Sequence, residues 1–170
     1  GDGTDDHQQA LILFRSADET MGTLSGKLVQ VYTLAEREGG YSAAVTPEAV
    51  STAAKTGEGY VFSHWTNGAG NTVDPFQTQT VKGGQTYVYT AHWKYNENLS
   101  YTVQYLDKAT GLAVAPENTA ANITYGTTVL ASEEVIPVAG YVFDYAENAS
   151  ISVGMGENVL KLYYAEDQLD

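Results

Sequence analysis

The apolar positions of this chain come in short runs, and most of them keep a period of two. Residues 10–14 (Ala-Leu-Ile-Leu-Phe) form one continuous apolar run, the pattern of a central buried strand. Asp18, Gly22 and Gly26 then signal turns, and residues 28–34 alternate and are rich in Val, Tyr and Thr, which predicts a second strand. Residues 60–66 predict a third. Strict alternation there puts Val61, Ser63 and Trp65 on one face and Tyr60, Phe62 and His64 on the other. Asn67-Gly68 and Gly70-Asn71 are turn dipeptides, and strands over 77–81 and 86–93 flank a turn at Gly83-Gly84. In the second half, Tyr101, Val103 and Tyr105 share one face of a strand over 101–106, followed by a turn over 107–111. A strand broken around Gly126 is expected within 123–130, with further strands over 141–145, 149–153 and 159–164.

Two segments leave the two-residue period. Thr46-Pro47-Glu48 offers a cap, a proline suited to the first helical position and an acid at the positive end of the dipole. It predicts a helix of about two turns over 49–55, ended by Gly57. A helix this short persists only if it is packed. Ser132-Glu133-Glu134-Val135 predicts a single helical turn capped by Ser132. These elements define an α+β fold, mostly β, with a small mixed sheet packed on one helix or loop in each half.

One phrase occurs twice: Gly59-Tyr60-Val61-Phe62 returns as Gly140-Tyr141-Val142-Phe143. An apolar strand precedes each copy and a Val-Gly-aromatic stretch follows it. An interval of about 80 residues is the size of a small domain, so the chain reads as two related modules in tandem. The expected boundaries are a tag scar and linker over 1–8, a first module over 9–94, a polar linker over 95–99, a second module over 100–165 and a terminal linker over 166–170.

The pieces Met21-Gly22-Thr23-Leu24-Ser25-Gly26, Gly59-Tyr60-Val61-Phe62-Ser63-His64-Trp65, Val73-Asp74-Pro75 and Tyr89-Thr90-Ala91-His92-Trp93 resemble an internalin-type B-repeat, with His64 where that family usually has Gly. In the second half, Tyr101-Thr102-Val103-Gln104-Tyr105-Leu106-Asp107, Gly111-Leu112-Ala113-Val114-Ala115-Pro116, Ile136-Pro137-Val138-Ala139-Gly140-Tyr141 and residues 157–164 resemble a mucin-binding-protein (MucBP) repeat. Both families are similar to a β-grasp, ubiquitin-like fold. The resemblance implies two β-grasp modules from the stalk or binding segment of a Gram-positive adhesin, extracellular and either wall-anchored or secreted. It implies no defined set of ligand-contacting residues.

Composition narrows the function. Of 170 residues, 43% are hydrophobic, so general disorder is excluded. There is no cysteine, which excludes disulfides, thiolate metal sites and thiol catalysis. The net charge of −13, with 8 Lys+Arg against 21 Asp+Glu, makes nucleic acid and anionic membranes poor partners. No apolar run reaches the length of a membrane span.

No Gly-x-Ser-x-Gly, Walker loop, dinucleotide fingerprint or calcium-hand loop is present, so the expectation is a non-enzymatic protein without cofactor or metal. His64-Trp65 and His92-Trp93 invite a metal reading. The better one makes Trp65 and Trp93 core anchors, with the neighbouring histidines on the opposite face. Tyr60, Phe62, Tyr141 and Phe143 are expected anchors of the same kind. Lys27 and Lys161 are the residues to consider for a Lys–Asn isopeptide crosslink. Thirteen tyrosines remain, and Tyr95, Tyr145 and Tyr163 are the candidate ligand-facing aromatics. The expected function is a surface module, monomeric within a longer repeat chain, that binds host glycoprotein or mucin glycans or extends a distal binding domain. The alternatives are a pure stalk and an accessory domain of a secreted hydrolase.

Overall fold

The computed structural model describes residues 6–168. The expected linker is described only from Asp6, which opens a single 3-10 turn, Asp6–Gln8. Residues 169–170 of the expected terminal linker also lie outside the described residues, and Glu166 ends the last strand. The chain divides into two compact units between Lys94 and Tyr95.

The first unit runs through β1 (Gln9–Ser16), β2 (Gly22–Gly26), β3 (Val29–Thr33), β4 (Ala35–Arg37), β5 (Gly40–Val45), β6 (Val50–Ala54), β7 (Tyr60–Thr66), β8 (Thr72–Val73), β9 (Gln79–Lys82) and β10 (Thr86–Tyr95), whose last residue, Tyr95, already belongs to the second unit. Its main sheet has the order β3-β1-β10-β7-β8, so the apolar run of β1 is central. β1 pairs parallel to β10 and antiparallel to β3. Smaller sheets, β2-β6 and β4-β5-β9, complete the unit. Ala10, Ile12 and Phe14 point inward from β1, and Tyr89, Ala91 and Trp93 from β10. With Trp65 they form the core, onto which Phe62, Phe76 and Val73 pack.

The expected helix over 49–55 is strand β6. Its backbone pairs antiparallel with β2, from Gly22 opposite Ala54 to Gly26 opposite Val50. The segment is too short to hold a helix alone, and Val50 and Thr52 favour extended backbone. Thr46 does not cap; its hydroxyl bonds Thr78 Oγ1 at 2.6 Å. Among the described residues there is no α-helix, so the α part of the expected α+β fold is absent there.

The second unit contains β11 (Leu99–Asp107), β12 (Ala113–Ile123), β13 (Thr128–Leu130), β14 (Tyr141–Ala146), β15 (Ser150–Ser152) and β16 (Val159–Glu166). Its sheet order is β12-β11-β16-β14, with β11 parallel to β16. Val103, Tyr105, Leu160, Leu162 and Tyr164 fill a separate core. The expected turn at Ser132 is a 3-10 turn, Ala131–Glu133, whose cap position is Leu130 and carries no side-chain bond. β12 is not expected from the pattern. It is polar, contains Pro116 and reads as a loop, yet it pairs along β11 with three register irregularities.

The repeated phrase takes the same place in both units. β7 and β14 each lie beside the parallel strand (β10 or β16) on the side away from β1 or β11. Each is entered through a glycine of positive φ, Gly59 at 74° and Gly140 at 82°, a conformation that other residues adopt at a cost.

Candidate functional site: stacked ring pairs on the outer sheet faces

Immediately after the repeated phrase, strict alternation of facing breaks down in both units. In β14 the ladder with β16 shifts register between Phe143, opposite Tyr164, and Tyr145, opposite Tyr163. Asp144 is the extra residue of a β-bulge. Phe143 and Ala146 pack on the core, whereas Tyr145 is turned out and is 49% exposed. In β7, Phe62 and Trp65 are three residues apart. Their rings nevertheless meet at 5.8 Å, and Phe62 also meets Trp93 at 5.8 Å. The expectation that Phe62 faces away from Trp65 is therefore corrected: the period slips by one across Ser63 and His64.

The slip places a ring on the outer face of each sheet, and the neighbouring strand supplies its partner. Tyr145 stacks on Tyr163 with centroids 4.9 Å apart and planes 23° apart. His64 stacks on His92 at 4.8 Å and 11°. Tyr163 precedes the buried Tyr164 as His92 precedes the buried Trp93, but the last rungs of the parallel ladders, Ser16 opposite Ala91 and Asp107 opposite Tyr164, set Tyr163 level with Thr90, so the histidine pair lies two residues further along its strand.

The tyrosine pair has polar neighbours. The parallel ladder sets Leu106 opposite Tyr163 and Gln104 opposite Lys161. Gln104, Leu106, Ala113, Glu117 and Lys161 line a depression of about 390 Å³. The Gln104 amide donates to Glu117 Oε2 at 3.3 Å, and Lys161 lies 4.0 Å from Glu147. Lys161 thus lies on one strand of the ring pair and Glu147 directly after the other, and the depression with Gln104 and Glu117 lies on the β11–β12 side of β16. A flat aromatic platform such as this pair accepts the C–H face of a sugar ring while polar groups near it satisfy the hydroxyls. Across the bulge, Lys108 Nζ holds Asp144 Oδ2 at 2.6 Å, and that bond raises the Lys108 pKa.

The structure separates the other candidates. Tyr95 is 48% exposed and stacks on Tyr125 at 5.8 Å. Trp65 and Trp93 are 7% and 9% exposed, while Tyr60, Phe62, Tyr141 and Phe143 are half-buried. The Trp93 indole donates to Ser16 Oγ at 2.8 Å and lies flat against Gly22. Tyr89, Tyr105 and Tyr164 are core residues. The side chains of Lys27 and Lys161 are 65% and 42% exposed and face Glu48 and Glu147, which removes the buried setting an isopeptide crosslink needs. Among the described residues no group of three or more His, Cys, Asp or Glu is placed to hold a metal, and no helix is long and apolar enough to cross a membrane.

No family model matches the chain, and no curated protein matches it. Among solved structures, it is similar to domains 3–4 of the Streptococcal High Identity Repeats in Tandem (SHIRT) of a cell surface protein. That alignment has 14% identity and a TM-score of 0.42, and covers 94% of this chain and 98% of that one. It is also similar to Mub-RV, at 16% identity and a TM-score of 0.23, over 94% of this chain and 99% of the other.

Proposed function

We propose that this chain is a non-catalytic segment of a bacterial surface adhesin, extracellular and wall-anchored or secreted, whose second unit binds the glycans of a host glycoprotein such as mucin. The observation that carries the reading is the Tyr145–Tyr163 stack, in which Tyr145 is 49% exposed and Tyr163 half-buried, with Lys161 two residues before Tyr163 on the same strand. A cross-strand aromatic pair stabilises a sheet by only about 0.2–1 kcal/mol, and the bulge leaves the Tyr145 ring 49% exposed to a partner. We further infer that both units are β-grasp modules, related to B-repeats and MucBP repeats. Support comes from the parallel central pair in each sheet and from the repeated phrase in equivalent strands.

The test is binding of the chain to immobilised mucin, with and without its glycans, at physiological salt. Saturable binding that falls at least tenfold in Tyr145→Ala and Tyr163→Ala, and disappears on deglycosylation, is the expected result. Binding that ignores both substitutions, or none at high micromolar protein, would return the chain to the stalk reading.

A further inference from the structure

The first unit carries a stacked imidazole pair, and the groups beside it differ in charge from those near the tyrosine pair of the second unit. Two residues before His92, Thr90 faces Arg15 across the parallel ladder. Two residues before Tyr163, the same step sets Lys161 opposite Gln104, with Glu117 close by. Arg15, Thr66, Asn67, Gly68, Thr90 and His92 line a shallow depression of about 230 Å³. None of the described residues lining it is Asp or Glu, in a chain with 21 acidic residues against 8 Lys+Arg.

The hydrogen bonding leaves this depression rich in donors. Arg15 Nε donates to Thr90 Oγ1 at 2.9 Å, which anchors the guanidinium along the sheet and leaves its two terminal NH2 groups for another partner. Arg15 makes no ion pair among the described residues. His92 Nε2 bonds Thr66 Oγ1 at 2.7 Å while His64 fixes the ring plane from the other side. In the adjoining turn, Asn67 Oδ1 takes the Ala69 and Asn71 N–H groups at 3.0 Å each, and the Asn67 carbonyl takes that of Gly70. The Gly68 N–H carries no partner among the described residues. A planar guanidinium fork with hydroxyl and amide donors around it matches the oxygens of a carboxylate or sulfate.

We propose that this depression is an oxyanion subsite, shaped for the carboxylate or sulfate group of a charged sugar. The overall charge of −13 does not forbid it, because at physiological ionic strength charges beyond about 8 Å are largely screened. Among the described residues Arg15 makes no ion pair, and Glu19 lines the adjoining depression on its other side. The inference does not rest on the tyrosine platform of the second unit and survives if that platform binds nothing.

The experiment titrates the ¹⁵N-labelled full chain at constant ionic strength with galactose 6-sulfate, N-acetylneuraminic acid, galactose and sodium sulfate. Saturable millimolar shifts of the Gly68, Thr90 and His92 amides are expected with the anions and not with galactose. Arg15→Gln should abolish them, Arg15→Lys should weaken them several-fold, and the spectra themselves report that each variant is folded. Tighter saturation by the sulfated or carboxylated sugar than by inorganic sulfate identifies a sugar as occupant. Equal saturation supports the subsite with a free oxyanion in it. Shifts reproduced by galactose, shifts that survive in Arg15→Gln, or no saturable shift with any anion would overturn the proposal.

Discussion

Gln30 is 3% exposed, the only buried polar side chain among the described residues, and every hydrogen-bonding position of its amide is engaged. Its NH2 donates to the carbonyls of Lys27 and Glu48 at 3.0 Å each. Its oxygen accepts from the Glu48 N–H and the Tyr32 hydroxyl at 2.9 Å each. It ties β3 to the segment entering β6. Gln30→Ala leaves those groups buried without partners, at a cost of about 1–3 kcal/mol, measured by denaturant unfolding. Trp65→Ala should cost more, about 3–5 kcal/mol, because it empties the centre of the aromatic core. His92 predicts an acid sensitivity. Burial, and after it the neighbouring His64, hold its pKa below the ordinary 6.5. The unfolded chain then binds the proton more readily, so the stabilising contribution is complete above about pH 6.5 and is lost as pH falls from there towards the folded value. The melting temperature should fall less steeply between about pH 7 and 5 in His92→Gln than in the parent chain. Parallel curves would show that His92 does not titrate differently on folding.

At the scale of the element, two features govern where side chains face. The first is the bulge in β14. Because Asp144 is the extra residue, deleting it restores plain alternation, with Tyr141 and Phe143 inward and Val142 and Tyr145 outward. The deletion variant should keep the Tyr145–Tyr163 contact in nuclear Overhauser spectra. Loss of that contact would show that the outward turn has another cause. The second is the close approach of β2 to β10. A Cβ at Gly22 would run into the six-membered ring of Trp93, so Gly22→Ala must displace the indole or break its bond to Ser16. A loss of about 1–3 kcal/mol is expected, with a change in Trp fluorescence as the local sign. Gly26, at the other end of β2, has a φ of 117°, and a Cβ there would also lie 3.1 Å from the Ala49 carbonyl oxygen and 3.5 Å from Val50 Cα, so both backbone conformation and space favour glycine.

For the whole molecule, each hydrophobic cluster is closed within its own unit. Residues 1–94 and 95–170, expressed separately, should each give a β-type circular dichroism spectrum and a cooperative melt. A half that stays unfolded would show that its core depends on the other. Much of this architecture was legible beforehand. The apolar run of β1, the alternation of β11 and β16 and the repeated Gly-Tyr-Val-Phe are local patterns, and local pattern reports which residues must leave water. It failed where pairing partners decide the outcome. β12 is polar and becomes a strand only because β11 offers an edge. β6 has helix-start residues before it and becomes a strand because β2 needs a partner. In β3 the inward positions include Gln30, while Val29 and Val31 are each 54% exposed, because a latch to Glu48 outweighs the burial of two valines.

By itself, the sequence determined the strand-rich character, the internal repeat, the acidity and the absence of thiol chemistry, since these follow from composition and short-range periodicity. Only the tertiary structure decided which rings meet on the outer faces. A one-residue slip reverses the facing of everything after it, and that slip is set by the register against a strand some twenty residues or more away in the chain. The Tyr145–Tyr163 and His64–His92 pairs, and the different polar groups beside each, exist only once that register is formed.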